Sequence, residues 1–159
     1  IAMLCSVLRR VINSDESRLE ELYKIYEKHG RVICFYNYDY ELYAIEDFCN
    51  IKKILLKQWN GHLHEEVPTD DEWIYLVQYA AGAEAWNCIT TDCIVFYSQT
   101  YSYKASIQAA GRIDRMNTPF KDLYYYHFLS SAKMDLAINK SLKTKKDFNE
   151  KSFIEGGAV

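Results

Sequence analysis

Apolar and polar positions along this chain switch between a helical and a strand period, and the switches mark its elements. After the polar run Asn13-Ser14-Asp15-Glu16, which has the composition of a capping box, Leu19, Leu22, Ile25 and Tyr26 keep helical spacing. Gly30 follows directly, and a glycine just past the last periodic residue predicts the end of that helix. Residues 31–36 then read as a strand, so the two form a helix–strand unit. Residues 38–50 predict the next helix, residues 54–64 a short strand, and Val67-Pro68-Thr69-Asp70-Asp71 a turn. Buried strands are expected at residues 73–79 and 93–97, with a small-residue, glycine-containing stretch between them. Residues 122–129 predict a further strand, in which Tyr124-Tyr125-Tyr126 suit β packing. Residues 132–148 predict a closing helix with Leu136 and Ile138 among its few apolar positions. Strands alternating with helices predict an α/β domain with a mostly parallel central sheet covered on both faces. In such sheets ligands bind beyond the carboxyl ends of the strands.

Composition narrows the picture only modestly. A chain of 159 residues, 49% hydrophobic and 26% charged, suits one globular domain over 1–159. Its net charge of −3 supplies no global basic field, so any contact with nucleic acid must be local. No apolar run approaches the ~20 residues that a membrane span needs, and no signal peptide is visible, which predicts a cytoplasmic protein with no membrane partner. The cysteines Cys5, Cys34, Cys49, Cys88 and Cys93 are odd in number and read as reduced core residues. Cys88 and Cys93 lack zinc-ribbon spacing and His62-Leu63-His64 has no partner pair, so no metal site is expected. A chain that begins at Ile1 reads as a fragment of something longer.

The densest chemistry lies in Gln108-Ala109-Ala110-Gly111-Arg112-Ile113-Asp114-Arg115. On a continuous helix, positions 108, 112 and 115 fall within roughly 60° of one another. Gly111 beside that face would let another backbone or a ligand come close. Two converging guanidiniums suit a phosphate, because each offers planar, paired donors that stay charged. Taken alone, the pattern equally suits a surface helix with two salt-bridged arginines.

The order strand, small-residue loop, strand, arginine helix resembles the second RecA-like lobe of superfamily-two helicases and translocases, in particular the Swi/Snf-type and phage-encoded DEAD/DEAH-like helicases. Residues 108–115 resemble their motif VI, which begins Gln-Ala and ends Gly-Arg-x-x-Arg. Residues 80–88 resemble motif V, with Ala85 where that family usually has glycine, and residues 31–38 resemble motif IV. The likeness runs over residues 31–129 and implies a RecA-like three-layer sandwich with a mostly parallel central sheet. It also implies ATP and Mg²⁺ as cofactors, DNA as partner with RNA left open, and an N-terminal ATP-binding lobe of the same protein. This sequence holds no Gly-x-x-x-x-Gly-Lys-Ser/Thr loop and no Asp-Glu-x-His/Asp box, so that lobe is not within it and the isolated chain is expected to be inactive.

The resemblance carries roles onto individual residues. Arg115 takes the place of an arginine finger and Arg112 that of a second phosphate contact. Gln108, Gly82, Glu84 and Gly111 fall to the nucleotide side, while Asn37, Tyr38, Trp86 and Asn87 fall to the nucleic-acid side. Plainer readings stand beside these: salt bridges for the arginines, a self-capping turn for Glu84 and Asn87, packing for Trp86. The lysines at 133, 140, 143, 145, 146 and 151 suit a solvated face or a phosphate track. The rival to a helicase lobe is a non-enzymatic α/β module that binds a protein or an anion.

Overall fold

The computed structural model describes residues 1–81 and 87–156. Five strands form one sheet: β1 (Arg31–Tyr36), β2 (Leu56–Trp59), β3 (Trp73–Gln78), β4 (Cys93–Phe96) and β5 (Tyr124–His127), in the order β2-β3-β1-β4-β5. Every pairing is parallel, so the mixed sheet that the sequence left open is resolved as wholly parallel. The central strands are buried on both faces, as parallel sheets require. Their side chains divide by the period of two. Val32, Cys34 and Tyr36 face one core with Ile74, Leu76 and Val95. Ile33 and Phe35 face the other with Tyr75, Val77, Ile94 and Phe96.

Helices α2 (Ser17–His29) and α3 (Asp39–Lys52) cover the first face through Leu22, Ile25, Leu42, Ile45 and Cys49. Helix α4 (Tyr103–Ala110) covers the second through Ala109, helped by Ile113 just beyond its end. A third cluster joins α1 (Ala2–Asn13) to α5 (Lys133–Lys143) and α6 (Glu150–Glu155) around Cys5, Met134, Ile138, Phe148 and Phe153. All five cysteines are free and buried. Among the described residues, no helix is long and apolar enough to cross a membrane.

Three sequence expectations need correcting. The first helix, α1, has no counterpart among them. Its inward stripe is Cys5, Arg9 and Asn13, while Met3, Val7 and Val11 face outward, so apolar spacing pointed to no buried face. Asn13 does not open a capping box; it is the buried last residue of α1. The Asp15 carboxylate instead accepts from the Ser17 amide at 2.9 Å, and the Ser17 hydroxyl first and then this amide hold its carboxyl below the ordinary value. Finally, the closing helix is two helices. Lys145 takes a left-handed φ of 60°, its amide returning to the Leu142 carbonyl, and Asn149 then caps α6 through the Ser152 amide at 2.8 Å.

Candidate functional site

Helix α4 starts where the chain leaves β4 at the carboxyl edge of the sheet. Ser102 caps it by accepting from the Ala105 amide at 3.1 Å. The helix then runs back and ends at Ala110, so the continuous helix expected over residues 108–115 does not form. Two causes act, one local and one distant in sequence. Gly111 is a poor helix former, and its neighbour's carbonyl is used elsewhere: the Cys88 amide donates to the Arg112 carbonyl at 3.1 Å. Ile113 meanwhile sinks fully into the second core. Gly111 itself has φ −69°, and a Cβ there would meet only ordinary contacts at 3.5 and 3.6 Å. Neither backbone strain nor crowding within the chain demands glycine at that position.

The arginines lie beyond the end of α4, in and after a turn, rather than on a shared helical face. Arg112 is buried, at 7% exposure, and Arg115 is exposed. Burial lowers the basicity of Arg112, and the Arg115 charge adds to that effect. Gln108 is exposed on α4. Because α4 runs antiparallel to the strands, the arginines lie toward the amino edge of the sheet. There the Tyr125 hydroxyl donates to the Ala110 carbonyl at 3.3 Å. The connection into α4 lies at the carboxyl edge as expected, but the arginines do not.

Of the motif V residues, Gly82, Glu84 and Trp86 lie outside the described residues. The segment is tied at both ends. The Trp59 indole donates to the Ala81 carbonyl at 3.1 Å, and the Cys88 amide holds Arg112. Asn87 is exposed on the arginine side of that tie.

Asn37 and Tyr38 sit at the opposite, carboxyl edge, half-buried. The Asn37 amide donates to Ser98 Oγ and to the Gln99 carbonyl, both at 2.9 Å, and so bridges the ends of β1 and β4. Glu41 Oε1 accepts from the backbone amides of Asn37 and Tyr38 at 3.0 and 2.9 Å, half of a capping box for α3. The Tyr38 ring stacks on Tyr40 at 5.2 Å. Arg9, 1% exposed, places its guanidinium 5.5 Å from the Tyr38 ring and 5.0 Å from the Tyr101 ring and donates to the Gln99 carbonyl. Arg9 was not singled out in the sequence. Its one signal is the Cys5-Arg9-Asn13 spacing, which looks polar until α1 is seen to press it inward.

No protein-family model matches the chain. The ISWI chromatin-remodeling complex ATPase ISW2 of Saccharomyces cerevisiae is 24% identical to it over 119 residues, which is 69% of this chain and 10% of that protein. The crystal structure of the C-terminal part of the Fun30 ATPase domain superposes on 86% of this chain with a TM-score of 0.69 at 16% identity. The fold is that of a second RecA-like lobe. This lobe corresponds to 48% of the Fun30 chain and a tenth of the curated relative's length. Within this fold, the residues that resemble motif VI occupy the end of α4 and the turn beyond it, and Asn37 and Tyr38, which resemble part of motif IV, follow β1.

Proposed function

We propose that this lobe is the C-terminal half of an ATP-dependent DNA helicase or translocase of Swi/Snf type, with Arg112 and Arg115 facing the γ-phosphate. The observation that carries the reading is a buried and an exposed arginine three residues apart just beyond α4, where the Arg115 charge adds to the burial that lowers the basicity of Arg112. A site of this kind fits an anion, because a phosphate between two such charges would turn repulsion into attraction. ATP with Mg²⁺, held mainly by the missing N-terminal lobe, would supply the phosphoryl group that is transferred to water.

Each residue then has a separate task. Arg115, exposed, reaches across the cleft and neutralises charge that develops in the transition state. Arg112, fixed by burial and by the Cys88 tie at its carbonyl, supplies the second phosphate contact and relays its position to motif V. Gln108 and Gly111 border the same cleft, and Gly82 and Glu84 would complete it. By the resemblance, Asn87 and Trp86 belong to the nucleic-acid side, together with Asn37 and Tyr38. Because Asn37 already spends its amide on Ser98 and Gln99, its part is to shape the carboxyl edge rather than to grip a phosphate.

A steady-state ATPase assay on the chain alone and on the two-lobe protein tests this reading. The chain alone should not turn over ATP, and the two-lobe protein should do so with stimulation by DNA. Turnover by the isolated chain that survives Arg115→Ala would overturn the half-site reading.

A further inference from the structure

A cavity of about 350 Å³ lies at the carboxyl edge between α4 and α5, at the other end of the sheet from the arginines. Its volume is in the range of small-ligand sites, and its place beyond the strand ends is where open parallel sheets bind ligands. Three rings along it are nearly parallel. His127 lies flat on Phe96, with centroids 4.5 Å apart and planes 15° apart, and Tyr79 follows at 6.4 Å and 14° from Phe96. Ile107 forms a rim that is 54% exposed, an apolar side chain with little of its own chain to cover it. Lys143 borders the same space, and Lys140, Lys145 and Lys146 surround it in sequence. Among the described residues, none of these four lysines takes part in an ion pair.

Phe96 and Tyr79 are buried within this stack, so the exposed His127 ring, backed by Phe96, is the surface it offers to a planar heteroaromatic group, and base–aromatic stacking tolerates any base. Lys143 at the rim, in none of the ion pairs among the described residues, offers a place for an attached anion. Burial, with the Lys143 charge adding to it, keeps the His127 imidazole below its ordinary basicity, so it stacks as a neutral ring near pH 7. We propose that this cavity captures one unpaired nucleotide of a nucleic-acid strand, with the base on the Phe96–His127 stack and its phosphate at Lys143. The choice of ligand rests on reading the lobe as part of a nucleic-acid track. The cavity and its rings do not depend on the arginine cleft.

The test uses 2-aminopurine deoxyriboside 5′-monophosphate, whose fluorescence falls on stacking, titrated with this chain. Saturable quenching is expected. Ile107→Asp and Lys143→Glu change exposed positions, so the fold should persist, as circular dichroism would verify. Each should weaken binding by about tenfold, the size of one lost stacking or phosphate contact. A single-stranded oligonucleotide should compete, and a blunt duplex should compete far less. No saturable quenching, wild-type affinity in both variants, or equal competition by the duplex would overturn the proposal. Quenching that persists in a two-lobe protein without arginine-dependent turnover would sink the proposed function alone. Turnover without quenching would sink this inference alone.

Discussion

Glu41 is a buried carboxyl held in place by two backbone amides, and burial sets its chemistry. Oε1 accepts from Asn37 and Tyr38, while desolvation pushes the carboxyl above the ordinary glutamate value despite those bonds and the nearby Arg9 charge. Folding therefore favours the protonated form. The sign follows: relative to a residue that does not titrate, Glu41 gives most stability below about pH 4.3, and that contribution is lost as pH rises through the folded-state value. Glu41→Gln keeps an oxygen for both amides and removes the titration. In urea unfolding from about pH 4 to 8, the wild type should lose stability relative to Glu41→Gln as pH rises. A difference independent of pH would contradict a buried carboxyl at this position.

Helices and strands were read from the sequence where their burial is apolar. The step from α2 through Gly30 to β1 is the case in point: Leu22 and Ile25 pack under Val32 and Cys34, so pattern and packing agree. Where the inward face is polar, the reading failed. The buried stripe of α1 carries Arg9 and Asn13, and the end of α4 is decided by a carbonyl bond from Cys88, 24 residues away in sequence (112 − 88). Neither is visible in local periodicity. The same holds for Arg18 of α2, which donates to the carbonyls of Tyr97 and Phe128 and pairs with Asp135 of α5 at 2.9 Å. This buried pair locks the loops after β4 and β5 to two helices, and both partners are under 10% exposed. Asp135→Ala leaves the guanidinium buried without its carboxylate. It should cost about 3–5 kcal/mol in chemical unfolding, whereas replacing both partners with apolar residues should recover much of that. A loss below about 1 kcal/mol, typical of a surface pair, would contradict the bracing role.

At the scale of the molecule, the resemblance read in the sequence and the observed architecture agree on a RecA-like lobe, and the sheet expected to be mostly parallel is parallel throughout its five strands. The sequence alone assigned the arginines to neither edge. Asn37 and Tyr38 close the carboxyl edge, while α4 carries Arg112 and Arg115 back to the amino edge, so the lobe presents two chemically distinct rims. With a net charge of −3, only local lysines can meet a nucleic-acid backbone. Binding by the lobe alone should be weak, and log affinity should fall against log salt with a slope of about 0.9 per phosphate contacted, for only a few phosphates on duplex DNA. Filter binding across a salt series measures it. Tight binding that hardly responds to salt would point instead to a module that reads base edges. The central claim, that the two arginines complete a phosphoryl-transfer site, is tested most directly on the two-lobe protein by Arg115→Ala and Arg115→Lys. Nucleotide affinity would be followed with a fluorescent ATP analogue and turnover at saturating DNA. The account predicts near-normal affinity with turnover down about 10³- to 10⁵-fold, and no rescue by lysine, which lacks the planar pair of donors. Arg115→Ala that keeps more than about a tenth of wild-type turnover, far above that range, would contradict it.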